Sequence, residues 1–590
     1  MKNKFVALVP FLIILALSAW AGKGLFRFEF YTTHDGNFQI SRSLDAVATA
    51  AEGHLPLRWA GSLNFNCGVP IFNFFYPLLY YLVILLNPLF QDVLLTLKII
   101  NYLSFFVGTV FIYLWFRQES KDKWASLVGS ILYLYAPYRF LLVYVRGSPE
   151  YIAYALLPMV LYFYSKAFGK HFKRYLFAAT VSGGLLAISH NFIAMILMPF
   201  VLLYLVFKLF ELGRSQSLKT APKAKIFLIS YLSIFGLGAF FIFPALMEAK
   251  YTQLNRTPSA FSEQFVPLGQ MIRSRWGYYF AYAGEAKDQM SLMLGYAQWL
   301  VLGLAGLWLG YRGIKALRGR RNKLAFFLKG DRNYVWTLAL FVLSFLTIFL
   351  MLRQSLFIWE NFPLLQKIQF PWRLLGVAVL TISVLFVFWV TGFKGNKLLY
   401  WPILFVVALL AVAGNHSHLL PKAVLPQEIE LYREYDRLYW ERHVTTTSYR
   451  DDMLAPSAKD GPCVYDTPAV ETDQKEQIPF SEIKRGNTYA SVLLNWEKEK
   501  YQGTFILLAQ SYYPGSHSIR INSVVADYED CGGRICIDSR KLHEGDNTLD
   551  WQVHQTALQQ FFNVISLGFL CFWVIFLCER SRIPRDLSRG

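Results

Sequence analysis

The sequence predicts a polytopic α-helical membrane protein with a β-rich module just before its last helix, and three observations predict it. Of 590 residues, 55% are hydrophobic and only 16% are charged, against roughly 25% charged in soluble domains. Apolar runs approaching the ~20 residues needed to cross a bilayer recur along the chain. A single block, 415 to 560, turns abruptly polar and alternating.

The first run, Phe5 to Ala21, follows Lys2 and Lys4. Its length and basic flank fit either a signal peptide or a first helix, and Trp20, which interrupts a small-residue cleavage site, favours a retained helix with a cytoplasmic N-terminus. Further runs are Leu94 to Phe116, Trp124 to Val143, Tyr151 to Tyr164, Tyr175 to Ser189, Phe192 to Phe210, Ile226 to Leu246, Leu292 to Tyr311, Val335 to Leu352, Leu374 to Val390, Leu398 to Ala413 and Phe561 to Leu577. Together they make about 12 transmembrane helices.

Lys and Arg in short loops set orientation. The basic segments that begin at Arg117, Ser165, Arg214, Arg312, Lys394 and Glu579 are all expected to be cytoplasmic. The run Val69 to Phe90 is apolar enough to cross, yet counting it would turn several of these loops outward. It is therefore expected to be re-entrant or interfacial, in keeping with its Phe and Tyr content. The net charge of +19 lies mostly in these loops, which argues against nucleic acid as a partner.

Three regions follow: a transmembrane part over 1–414 with a first outer loop at 22–92, an extracytoplasmic β-rich part over 415–560, and a final helix with a basic cytoplasmic tail over 561–590. In the second, "ASVLLNW", "GTFILLAQSYY", "HSIRINSVVADY", "RICIDSR" and "NTLDWQVHQ" alternate between turn-rich pieces, as strands of a β-sandwich or jelly roll do. Cys67 and Cys463 stand alone, Cys571 and Cys578 lie in the last apolar run, and Cys531 and Cys536 in "CGGRIC" are either two thiols or a hairpin disulfide.

With this topology the titratable residues gather on the outer face. His34-Asp35 lies just beyond the first helix, where a carboxylate stays ionised without burial in hydrocarbon. Asp35 suits a general base on an acceptor hydroxyl, and equally the N-cap of the helix that follows. In "YVRGSPEY", Arg146 and Glu150 either pair with each other or are turned apart by Gly147 and Pro149. Arg146 suits a phosphate, and Glu150 a hydroxyl, a metal or His34. His190 and Asn191 sit in a short turn at the membrane edge. Glu248 ends a span, Arg58 lies in the first outer loop, and Arg373 stands where a span re-enters, as a binding group or a snorkelling helix-end arginine. No P-loop, G-x-S-x-G or H-E-x-x-H occurs.

The order "HDG", "G-x-x-PLRW" from Gly53, "G-x-P-x-F-x-FFYPLLYYL" from Gly68, "YAPYR" from Tyr135, "YVRG-x-x-E" from Tyr144, "LLP", "SHN", "QFPWR" and "YYPG" from Tyr512 resembles bacterial membrane proteins described as 6-pyruvoyl-tetrahydropterin synthase-related. It also resembles membrane glycosyltransferases of the GT-C fold. The pterin resemblance implies a three-histidine zinc site, and the sequence holds no such cluster. The GT-C resemblance implies a GT-C-like bundle and an inverting enzyme. Its donor would be a polyprenyl-phosphate-linked sugar, and its acceptor an extracytoplasmic glycan, lipid or protein of the cell envelope. Acidic residues in the first two outer loops match Asp35 and Glu150 by position, as catalytic groups. Substrate binding falls to His34, Arg58, Arg146, His190, Asn191, Glu248 and Arg373. His34-Asp35 departs from the acidic pair of some GT-C enzymes, which leaves a divalent metal, and any cofactor, open. The resemblance places the protein in the bacterial cytoplasmic membrane with its site outside. A lipid or glycan transporter, or an envelope-assembly scaffold, is the alternative, although no inverted repeat is present.

Overall fold

The computed structural model describes residues 2–28, 31–64, 66–215, 220–254, 261–278, 290–318, 332–421, 457, 470–501 and 503–579. Cys463, most of the first half of the 415–560 block, parts of the loop after Glu248 and of the basic segment after Arg312, and nearly all of the C-terminal tail lie outside the described residues.

Each apolar run in the sequence forms helix. In chain order the helices include α1 (Lys2–Ala21), α2 (Gly36–Ala51), α3 (Leu78–Phe90), α4 (Val93–Ser120), α5 (Lys123–Leu134), α6 (Pro137–Leu141), α7 (Glu150–Ala167), α8 (Phe172–Ala187), α9 (Asn191–Ser215), α10 (Thr220–Leu237) and α11 (Ala239–Met247). Then come α12 (Tyr296–Arg318), α13 (Arg332–Met351), α14 (Leu356–Asn361), α15 (Pro363–Gln366), α16 (Leu375–Thr391), α17 (Lys397–Ala413) and α18 (Ala557–Cys578).

Among the described residues five helices are long and apolar enough to cross a bilayer, or up to seven when each of two bent pairs counts as one span. One pair bends by 44° between α5 and α6, and the other by 63° between α10 and α11. At the first break Pro137, at the start of α6, contributes no N–H to the helical ladder. The second break falls at Gly238. The run expected to be re-entrant begins as loop and short helix and ends in α3, whose 13 residues reach only about 20 Å. Of the long spans α16 is the central one, with nearly every residue buried, whereas α18 buries only Gln559 and Trp573 fully. On α18 the aromatic face meets α10 and α11: Phe562 stacks on Phe243 at 4.8 Å, and Phe569 lies where a side chain on Gly236 would otherwise stand.

The β-rich part is two antiparallel sheets. One has four strands in the order β1 (Glu471–Thr472), β4 (Phe505–Ser511), β8 (Arg534–Asp538), β7 (Glu529–Cys531). The other has five: β2 (Phe480–Arg485), β3 (Tyr489–Trp496), β9 (Gly545–Val553), β5 (His517–Ile521), β6 (Val524–Ala526). Inward residues of both, among them Val492, Leu494, Ile506, Ile537, Leu549 and Trp551, form one core, which is the organisation of a sandwich. Cys531 and Cys536 are joined by a disulfide, and Cys67, alone in the sequence, is disulfide-bonded as well.

The sandwich is docked on the bundle through polar groups. The turn Arg485–Thr488 between β2 and β3 grips α2: Asn487 donates from its side chain to Asp45 and Thr49, while the backbone N–H groups of Asn487 and Thr488 donate to the Glu52 carboxylate at 2.6 and 2.8 Å. Gly61 lies so close to Asn487 that a Cβ would overlap its carbonyl. A backbone bond from Ser511 to the Cys67 carbonyl, 2.8 Å, adds a second attachment.

Candidate active site

The "HDG" and "YVRG" segments are tied together by their backbones. The His34 N–H donates to the Val145 carbonyl and the Asp35 N–H to the Arg146 carbonyl, both at 2.9 Å. Gly147, at φ +63°, ends a π-helical turn over Leu142–Arg146, and a Cβ there would overlap the Thr33 hydroxyl. Glycine is therefore required twice over, by conformation and by space.

Asp35 occupies the N-cap position of α2, yet its side chain makes no capping bond. Its Oδ2 instead lies 3.4 Å from Arg146 Nη2. The capping alternative is thereby set aside. Arg146 Nη1 also donates to His34 Nδ1 at 3.3 Å, while His34 Nε2 donates to the Tyr278 carbonyl. That pattern is one of a neutral ring, and burial, reinforced by Arg146, pushes the His34 pKa down to about 4.

Arg146 and Glu150, four residues apart, take different partners. Glu150 lies 2.9 Å from Arg373 Nε, accepts from the Tyr138 hydroxyl at 3.1 Å and is 3.9 Å from His190 Nε2. Arg373 is held in turn by the Ile368 carbonyl at 2.6 Å and Gln369 Oε1 at 3.2 Å, both reached from Nη1. Among the described residues nothing accepts from its Nη2. Phe370 lies under both arginines, 5.8 Å from Arg146 and 4.7 Å from Arg373. His190 stacks on Tyr76 at 4.6 Å, and the Tyr76 hydroxyl accepts from Gln39, one turn beyond Asp35 on α2. Burial holds His190 down to about 3 even beside Glu150. The result is one continuous cluster of His34, Asp35, Arg146, Glu150, His190 and Arg373. Within it Glu150 is fully buried, whereas the Asp35 side chain keeps 17% of its surface open.

The remaining expected residues are placed otherwise. Asn191 donates to the Phe74 carbonyl at 2.8 Å and so fixes the loop before α3. Arg58 and Glu248 take their hydrogen-bond partners elsewhere. Glu248 accepts from Asn73 (2.7 Å), Tyr513 (2.7 Å), Thr556 (2.6 Å) and Gln559 (2.8 Å). Arg58 donates to Asn73 at 3.0 Å, the Phe240 carbonyl at 2.7 Å and Asn563 at 3.0 Å. Glu248 thus joins the bundle to the sandwich and α18, and Arg58 joins the bundle to α18 while its Nε has no partner among the described residues. Sequence reasoning missed Tyr138, Tyr76, Gln369 and Phe370. All four stand inside quoted motifs, but nothing in their type points to a carboxylate or an arginine.

An apolar cavity of about 450 Å³ opens between α9, α13 and α16, lined among others by Phe200, Phe207, Trp336, Leu380 and Val384. Both α9 and α16 start beside the cluster, at His190 and Arg373. Phe200 and Leu380 lie roughly 10–15 Å further along them. Among the described residues no three His, Cys, Asp or Glu side chains are placed to hold a metal ion. A three-histidine zinc centre does not fit this donor set.

Compared with known proteins, residues 72–419 match a family described as the 6-pyruvoyl-tetrahydropterin synthase related domain, a membrane protein. An uncharacterised protein of Lactococcus lactis subsp. cremoris (strain MG1363) is 25% identical over 265 residues, 43% of this chain and 42% of the relative. The chain thus spans less than half of that relative's length. Two solved structures are similar at 12% identity. Arabinofuranosyltransferase AftD from Mycobacteria matches over 72% of this chain and 28% of its own, with a TM-score of 0.43. ArnT from Cupriavidus metallidurans bound to undecaprenyl phosphate matches over 74% and 92%, with a TM-score of 0.32.

Proposed function

The chain belongs to the membrane-protein family described as 6-pyruvoyl-tetrahydropterin synthase related, and from that premise we propose that it is an inverting glycosyltransferase using a polyprenyl-phosphate-linked sugar at the outer face of the membrane. The observation that carries the reading is a partly open carboxylate, Asp35, in one cluster with two arginines at the end of the bundle that bears the sandwich. Asp35 takes the proton of an acceptor hydroxyl as its oxygen bonds to the anomeric carbon. The bond from that carbon to the phosphate oxygen breaks, and its electron pair leaves with polyprenyl phosphate. Negative charge grows on the phosphate as the bond breaks, so a pre-placed cation stabilises the transition state more than the ground state. Arg373, with Nη2 uncommitted, is the first candidate, and Arg146 the second. Glu150 orients Arg373, and His190 and His34 orient the sugar or acceptor. The cavity along α9 and α16 suits a hydrocarbon chain whose headgroup rests by Arg373. The motif order that resembles GT-C enzymes supports the same reading, and the disulfides fit an oxidising outer compartment.

The test is sugar transfer from a panel of polyprenyl-phosphate sugars by purified protein, beside folded Asp35→Asn and Glu150→Gln variants. Transfer abolished in Asp35→Asn supports the base. Equal binding of polyprenyl phosphate by all three proteins with no donor turned over would move a transporter or scaffold ahead.

A further inference from the structure

Between the spans α13 and α16 the chain does not turn tightly. It runs through a short 3-10 turn, α14 and α15 over residues 353–366 and returns through "QFPWR". This elbow has two faces. Inward, Trp359 is buried against Phe261 and Phe265, and its Nε1 donates to the Leu350 carbonyl at 3.0 Å. Gln366 closes the elbow on itself by donating to the Trp359 carbonyl at 3.0 Å. Outward, Phe357, Phe362 and Leu364 are 59–68% exposed. Three large apolar side chains on so short a rigid piece would be an anomaly in water.

What covers them follows from position. The elbow continues the lipid-facing belt of α13, where Val342, Phe345 and Leu346 are exposed in turn. It is flanked by the exposed basic residues Arg353 and Lys367, with Glu360 as the exposed carboxylate between them. Apolar side chains between cations at the end of a span fit the boundary of headgroups and acyl chains, where basic groups meet lipid phosphate. We propose that residues 356–367 are a wedge seated in the outer-leaflet interface, with Phe362 and Leu364 in the upper acyl region. The residues directly after it are the ones that hold the site. Ile368 and Gln369, the latter in the left-handed region at φ +66°, accept both Nη1 bonds of Arg373, and Phe370 lies under Arg146. The wedge therefore ties the height of the arginine cluster to the height of the lipid headgroups. This last consequence, for a lipid-borne substrate, rests on the transferase reading; the seating in lipid does not.

The experiment uses the full chain in proteoliposomes, with a Cys571→Ala/Cys578→Ala background to remove the exposed thiols. Phe362→Cys and, separately, Leu364→Cys carry an environment-sensitive fluorophore, and Val524→Cys on the sandwich is the aqueous reference. Expected are blue-shifted emission at 362 and 364, stronger quenching by lipid brominated in the upper acyl chain than near its end, and protection from aqueous iodide. Iodide quenching at both positions equal to that at 524 would overturn the wedge. In the enzyme assay, Phe362→Asp/Leu364→Asp is expected to raise KM for a long-chain donor about tenfold, the loss of a few buried methylenes, with kcat and the KM of a short-chain donor unchanged. A transferase that failed to turn over would leave the quenching result standing, and an equal rise for both donors would sink the coupling to substrate.

Discussion

Glu150 and Glu248 are both buried carboxylates at helix ends on the same side of the molecule, and they are spent differently. Glu248 receives four neutral donors from Asn73, Tyr513, Thr556 and Gln559, one of them in the sandwich and two at the start of α18. Both oxygens are engaged, Oε2 by three of the four donors. Glu150 faces one cation, Arg373, whose Nη2 remains uncommitted, and shares a cluster with the partly open Asp35. A buried acid in a membrane protein is a functional candidate, and the two acids differ in what surrounds them, as a latch would from the proposed site. The latch is closed by neutral donors from distant segments, while the site keeps charge and surface in reserve.

Several changes would break or sharpen that contrast, and the largest effect is expected at Asp35. Asp35→Asn should lower transfer by about 10²–10⁴-fold, the usual contribution of a positioned base, with an unchanged unfolding midpoint. Comparable loss of stability would make it a structural residue like Glu248.

Glu150→Gln leaves Arg373 buried without its counter-charge, a change of about 3–5 kcal/mol in stability. Glu150→Gln/Arg373→Met should recover much of that stability and none of the activity. Recovery of both would remove the pair from the site.

Glu248→Gln should cost about 1–3 kcal/mol and loosen the sandwich, read as faster limited proteolysis between it and the bundle. Any residual transfer should keep its KM for donor. A selective rise in donor KM would return Glu248 to the substrate site.

The smallest effect is on pH dependence. His34 and, in the sandwich, His517 are held neutral by burial, at about 4 and about 3 against 6.5 unfolded. Below pH 6.5 the unfolded chain takes protons that the native one refuses. The stability these residues contribute is therefore full above about pH 6.5 and lost as pH falls toward 4 and 3. His517, which accepts from Gln510 and donates to Ser516, should give the longer acid slope. Denaturation midpoints at pH 7 and 5, with His34→Gln and His190→Gln in the cluster and His517→Gln in the sandwich, check which region governs the decline.

The helices were legible because a bilayer demands length and apolarity, and both are one-dimensional properties. The alternation of β3 and β9 was legible for a similar reason, a pleat of period two. The motif segments around Asp35, Arg146, Glu150 and Arg373 could also be picked out, since charge is scarce in so apolar a chain. Pairing could not. From spacing alone Arg146 could as well have joined Glu150, and Asp35 could have capped α2; the backbone bonds from 34–35 to 145–146 decided otherwise. Nor could spacing show that Arg58 and Glu248 meet Asn73, Tyr513 and the start of α18, from segments as far as 505 residues away. By itself the sequence determined a helical membrane protein with an alternating β module and a set of scarce charges, since hydrophobicity and period are carried by each segment alone. The tertiary structure decided which charges meet and which remain open, because a carboxylate takes its role from the donors that folding brings to it.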